Sequence, residues 1–212
     1  MKRIAILISG RGSNMQALLE ADLPATVAVV VSNNPAAKGL GIARAHGIPV
    51  EVVNHREYPD RAAFDTALAS RLAEHRPDLV VLAGFMRILT DTFLGRYPDR
   101  ILNIHPSLLP AFPGVDTHRR ALQAGVRLHG CTVHFVTPAL DHGPIVIQAA
   151  VPVLAGDDEE KLAARVLRQE HRIFPQAVRW FVSGKLSLEG SCVRISDDCR
   201  YPRGIVSPMA PP

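Results

Sequence analysis

The chain is poor in the residues that stack on nucleic-acid bases, and it has no run long enough to cross a bilayer. Aromatic residues make up 5% of its 212 positions, with a single Trp. Lys and Arg number 24 against 20 Asp and Glu, but they are scattered, and the longest basic patch is His118-Arg119-Arg120. A nucleic-acid surface needs clustered cations and stacking platforms, so the composition excludes one. A small anionic ligand accounts for the modest positive charge. Cysteine is scarce: Cys131, Cys192 and Cys199 are odd in number, widely spaced and without a Cys-x-x-Cys pair. That argues against a disulfide framework and a zinc site, and for reduced thiols. At the N-terminus only Ile4 to Ile8 is continuously apolar before Ser9 and Gly10, too short for a signal-peptide core. We expect a cytoplasmic protein without a membrane partner, as a monomer or homodimer.

What is present is alternation. Apolar runs at Ile4–Ile8, Val27–Val31 and Leu79–Ala83, with a shorter one at Val50–Val53, fit strands buried on both faces of a parallel sheet. Helical patterns lie between them: Asn14 to Ala21, Ala36 to His46 closed by Gly47, and Arg61 to His75 capped by Asp60. The fold class is therefore α/β, an open, mostly parallel twisted sheet with a mixed C-terminal part and a long C-terminal helix. After Pro110 the rhythm changes. Leu108 to Asp116 reads as a functional loop, Thr117 to Ala124 as a short helix, and Cys131–Val136 and Ile145–Val151 as strands. Asp157 is expected to N-cap a long C-terminal helix in a capping-box pattern with Glu160, and Pro175 to kink it. A small hairpin and a frayed tail follow Gly184. The expected domain is single, residues 1–190, with 191–212 a partly irregular extension. The prolines around residue 110 make Leu109–Pro110 a candidate cis bond.

Three places carry chemistry. Ser9-Gly10-Arg11-Gly12-Ser13-Asn14 joins the first strand to a helix, and amides at a helix N-terminus favour an anion. It fails as a dinucleotide fingerprint, because Met15 stands where the third glycine belongs; a ligand-free glycine turn is the plainer alternative. Gly84-Phe85-Met86-Arg87-Ile88-Leu89 follows the third long apolar run. There Phe85 and Ile88 are expected to pack on the core, and a backbone-lined slot beside Arg87 suits a flat heteroaromatic ligand with an acidic tail. Asn103 and His105, two apart on one strand, point to one face. An isolated His on an apolar strand is commonly a hydrogen-bonded core residue, but an adjacent buried Asn is costly unless its amide is used. Asp141, in the Leu140-Asp141-His142-Gly143-Pro144 loop, is either a turn former or the group that orients His105. Such a set can stabilise an oxyanion on a carbonyl carbon. His129, His134 and His142 share a region, but no metal-ligand spacing accompanies them.

At these residues the chain resembles the 10-formyltetrahydrofolate-dependent formyltransferase family. The likeness covers about residues 2–186 and rests on motifs in order: Ser9-Gly10-x-Gly12-Ser13-Asn14, Leu82 to Leu89, Asn103-Ile104-His105-Pro106-Ser107-Leu108-Leu109-Pro110, His129-Gly130 with Val133 to Val136, and Leu140-Asp141-x-Gly143-Pro144. The resemblance implies a Rossmann-like formyltransferase fold and, through Gly12-Ser13-Asn14, an acceptor bearing a 5-phosphate, the amine of 5-phosphoribosylglycinamide in purine synthesis. It implies that Gly12, Ser13, Asn14, Gln169 and Glu170 meet the ribonucleotide. The folate, 10-formyltetrahydrofolate as co-substrate, would meet Arg61, Phe85, Met86, Arg87, Ile88, Leu89, Asn103 and Leu140. Catalysis would fall to Asn103, His105 and Asp141, by direct attack through a tetrahedral intermediate, with Asp141 tuning His105 and no metal. His142 adds a titratable group beside Asp141. Rival readings are a methionyl-tRNA formyltransferase, for which the chain beyond residue 190 is too short for a nucleic-acid domain, a formyltetrahydrofolate hydrolase, and a noncatalytic binder of sugar phosphates.

Overall fold

Buried β-branched runs and amphipathic helices assemble, in a computed structural model, into one seven-stranded sheet with helices on both faces. The structure describes residues 1–197 together with 199, 200, 205 and 207. In chain order the strands are β1 (Lys2–Ile8), β2 (Ala25–Ser32), β3 (Val50–Val52), β4 (Leu79–Leu82), β5 (Ile101–His105), β6 (Leu128–Phe135) and β7 (Ile145–Pro152). Their spatial order is β3-β2-β1-β4-β5-β6-β7. The first five are mutually parallel, and β6 and β7 run antiparallel to their neighbours. Chain order reverses between β1 and β4, and there the loops leaving the carboxyl ends of the strands part to open a crevice.

Alternation along β1 sorts the core. Ile4, Ile6 and Ile8 face a cluster with Met15 and Leu18 of α1 (Ser13–Glu20) and Phe174 and Val178 of α6 (Glu159–Val182). Ala5 and Leu7 face the other side, with Phe64, Leu68 and Leu72 of α3 (Arg61–His75). Each fully buried Phe or Leu contributes roughly 1.5–3 kcal/mol relative to exposure. α2 (Gly39–Ala45), α4 (Asp91–Leu94) and α5 (Thr117–Gln123) complete the layers. Asp60 caps α3 as expected, its Oδ1 accepting from the Ala63 amide at 2.8 Å, and Gly47 is left-handed at φ 70°.

The expected cap of the long helix needs correction. The cap of α6 is Asp158, whose Oδ1 accepts from the Lys161 amide at 2.8 Å. Position N3 is thus a Lys, so there is no capping box with Glu160. Asp157 instead accepts from the Leu154 amide and forms a two-point pair with Arg165 at 2.6 and 2.8 Å, which holds its carboxyl down at about 2. An Arg two turns into the helix outcompeted the backbone for that carboxylate. Pro175 lies inside α6, with helix on both sides of it. The hairpin is present as β8 (Leu186–Glu189) and β9 (Cys192–Ile195), so the boundary expected at residue 190 falls in its turn. Most of the expected frayed tail lies outside the described residues. The Leu109–Pro110 bond is cis.

Candidate active site

The carboxyl end of β5 carries the pair expected to be catalytic. Asn103 is half-buried and His105 is 5% exposed, while Leu102 and Ile104 between them point into the opposite core. Register places Asn103 opposite His134 of antiparallel β6. Asn103 Nδ2 lies 3.2 Å from His134 Nε2, and His134 Nδ1 lies 2.8 Å from the Phe135 carbonyl. One tautomer satisfies both contacts: Nδ1–H donates to Phe135, and Nε2 accepts from Asn103. Burial pushes the His134 imidazolium pKa down, outweighing the opposing pull of the Phe135 carbonyl and Asp141, so the ring is kept neutral as that pattern requires. The second Asn103 amide hydrogen is left for a ligand.

Asp141 arrives from the β6–β7 connection in a left-handed turn at φ 54°, a conformation Asp tolerates better than most residues. Its Oδ2 accepts from the Gly114 amide at 2.8 Å and lies 3.5 Å from His105 Nδ1, while Oδ1 lies 3.8 Å from His134 Nε2. A separation of 3.5 Å exceeds a normal N–H···O bond, so the carboxylate supports His105 Nδ1 without saturating it. The other ring nitrogen, Nε2, donates to the Phe112 carbonyl at 3.0 Å. The imidazole is therefore oriented from both sides, with Nδ1 the nitrogen available to a reacting atom.

These groups line a cavity of about 530 Å³. Its wall on one side is the loop after β4, Gly84 to Leu89, with Leu140 of the Asp141 loop. Phe85 and Leu89 are buried, whereas Met86, Ile88, Val115 and Leu140 stand exposed as large apolar side chains around it. Ile88 therefore does not pack on the core as expected; beyond the end of β4 it lines the ligand space. The Met86 amide is held by Ser9 Oγ at 2.8 Å. The cavity also reaches Asn14 and Glu170, whose side chains bond to each other at 2.6 Å across 156 residues. Burial raises the Glu170 carboxyl pKa, with Asn14 and Arg11 opposing. The buried Asn14 Oδ1 has no protein partner. A paired carboxylate and amide with spare capacity suit sugar hydroxyls.

A formyl transferase domain model matches residues 2–178. Escherichia coli (strain K12) phosphoribosylglycinamide formyltransferase is 45% identical over 205 residues, covering 95% of this chain and 97% of that protein. The chain belongs to the formyl transferase family. The crystal structure of glycinamide ribonucleotide transformylase 1 from Symbiobacterium toebii superposes with a TM-score of 0.91 at 53% identity, covering 93% and 95% of the two chains. A formyltetrahydrofolate deformylase from Pseudomonas syringae pv. tomato is also similar, with a TM-score of 0.87 at 27% identity, over 92% of this chain and 66% of that one.

Within this formyl transferase, the cavity gathers Asn14, Phe85, Met86, Arg87, Ile88, Leu89, Asn103, His105, Leu140, Asp141 and Glu170 of the expected residues. Gly12, Ser13, Arg61 and Gln169 lie outside its lining. Gly12, at φ 81°, is required by packing: a Cβ there would stand 2.7 Å from the Gly39 Cα. Arg61 is the exposed first residue of α3, and the Gln169 amide oxygen accepts from Arg172. His142 is exposed, its Nδ1 2.6 Å from the Leu140 carbonyl, and does not line the cavity. The sequence reading missed the role of His134 as the partner that orients Asn103. The available signal was the apolar alternation of β6, which puts His134 on the inner face once β5 and β6 are paired. Among the described residues no group of three or more His, Cys, Asp or Glu is placed to hold a metal ion.

Proposed function

We propose that the chain transfers the formyl group of 10-formyltetrahydrofolate to the amine of 5-phosphoribosylglycinamide. The observation that carries this reading is the His105–Asp141 pair beside the half-free Asn103 amide, in a cavity that runs from an apolar loop to Asn14 and Glu170. The pterin lies against Phe85 to Leu89 and Leu140. The ribose meets Glu170 and Asn14, and the phosphate meets the amides at Gly12 to Asn14, with Gln169 and Arg61 at the outer ends of the two ligands.

The amine nitrogen attacks the formyl carbon, and the carbonyl electron pair moves onto oxygen. Asn103 Nδ2 and protonated His105 hold that oxyanion, while Asp141 balances the charge of the imidazolium and fixes its plane. The attacking nitrogen loses a proton, N10 of the folate gains one, and the C–N10 bond breaks. Tetrahydrofolate and the N-formylated ribonucleotide leave, with no covalent enzyme intermediate. The test is purified protein with 10-formyltetrahydrofolate, with and without glycinamide ribonucleotide, following folate product. Tetrahydrofolate is expected only with the acceptor. Release without it assigns the chain to hydrolysis, and release under neither condition overturns an enzymatic reading.

A further inference from the structure

The loop that brackets His105 and Asp141 is made of backbone that does not hold itself. From Phe112 to Asp116, three of five residues are left-handed: Phe112 at φ 53°, Gly114 at 79° and Asp116 at 57°. Two of these are not glycine, and such conformations persist where surrounding groups over-determine them. This segment supplies both backbone contacts to the reactive pair, the Phe112 carbonyl to His105 Nε2 and the Gly114 amide to Asp141 Oδ2.

The first half of the loop is tied to the sheet: Ser107 Oγ donates to the Ala111 carbonyl at 2.6 Å, and Gln148 Nε2 to the Leu109 carbonyl at 2.9 Å. The second half is held at its ends by the Phe112 ring, edge-on at 5.9 Å from that of His129, and by Arg119 donating to Asp116 Oδ2, and between them by Arg120. Arg120 of α5 donates through Nη1 to the Pro113 carbonyl and, at 3.3 Å, to the Val115 carbonyl, and its guanidinium lies 5.7 Å from the centroid of the Phe112 ring. Its three contacts thus fall on Phe112, Pro113 and Val115, around Gly114. The helix beneath is itself anchored, by the buried Ala121 and by Thr117 Oγ1 donating to the Pro106 carbonyl at 2.7 Å. One nitrogen that bonds two carbonyls, on a planar guanidinium set over a ring, is matched only in part by Lys, which lacks the planar face.

We propose that Arg120 is a positioning residue of the formyl-transfer site, fixing the Phe112 carbonyl against His105 and the Gly114 amide against Asp141. Arg120 does not line the cavity and so acts through the loop. The inference rests on the proposed chemistry of His105 and Asp141.

Arg120→Met keeps the stem and removes the fork; Arg120→Lys keeps the charge. Arg120→Met is expected to lower kcat about tenfold or more, with KM for both substrates within about threefold, because misplaced catalytic groups cost turnover rather than binding. The pH profile of kcat should also change, since the contacts of the groups proposed to hold the reacting atoms have changed. Arg120→Lys should fall between, and Arg71→Met, at an exposed position of α3 away from the loop and the cavity, should match the wild type. An unchanged kcat, or a raised KM with an unchanged pH profile, overturns the inference; if the Met variant does not fold, the Lys variant is judged by the same measures. Asn103→Ala and Asp141→Asn are assayed alongside. If they lose turnover while the Arg120 variants do not, only the positioning role fails; if they keep it, the chemistry fails and the positioning role with it.

Discussion

Asn103 has two amide hydrogens and a fixed use for one of them. Because His134 Nε2 takes the first, the direction of the second is set by the β5–β6 register rather than by a rotamer preference. Asn103→Ala removes the proposed oxyanion donor and should lower kcat by about a hundredfold or more. His134→Leu leaves Asn103 in place but unmoored and should lower kcat less, by about tenfold, with both KM values little changed. Steady-state kinetics on the two variants checks the order; a His134→Leu enzyme as fast as the wild type would remove the orienting role. At this scale the three residues that the structure brings together stood out in the sequence, because Asn, His and Asp are conspicuous in apolar surroundings. The sequence concealed His134, whose partner is 31 residues away and is fixed only by antiparallel pairing. Ile88 misled for a related reason: an apolar side chain reads as core until the end of the strand is located.

The elements that carry these residues approach more closely than side chains allow. Where β7 begins, a Cβ on Gly143 would stand 1.7 Å from the Phe135 carbonyl oxygen, and one on Gly130 would stand 1.9 Å from that of Ala149. Gly143 lies two residues from Asp141, so its contact with β6 sets where the carboxylate emerges. Gly143→Ala must push the β6–β7 connection apart. It should cost about 1–3 kcal/mol, as overpacking does, and lower kcat about tenfold or more by displacing Asp141. Urea unfolding and kinetics measure both, and normal turnover in a destabilised protein would uncouple the connection from the site. Strand and helix identities were legible from apolar runs, caps and Gly47, because those are local preferences. The pairing register of β6 on β5 and the choice of Asp158 over Asp157 as a cap were not. Each is decided by distant partners such as Arg165, which local patterning does not contain.

Across the whole molecule, burial sets titratable groups against one another. His118, His129 and His134 are all depressed by it, His129 to about 4, whereas Glu170 is raised. A histidine depressed in the fold binds fewer protons than its unfolded counterpart between its lowered value and the ordinary 6.5. Its contribution to stability is therefore complete above about pH 6.5 and is lost as pH falls toward 4. His129, 1% exposed and depressed mainly by its burial, accounts for on the order of 2–3 kcal/mol of that loss. Glu170 has the opposite sign: its raised value favours the fold at low pH, a term lost as pH rises from 4.5 through its folded value. Urea midpoints taken between pH 7.5 and 4.5 should fall for the wild type, fall less for His129→Phe and fall more for Glu170→Gln. The slope against pH is the discriminating quantity, because the packing change from His to Phe, against Phe112 and His118, shifts every midpoint by a constant. Parallel slopes in all three proteins would mean that these buried groups do not govern acid stability.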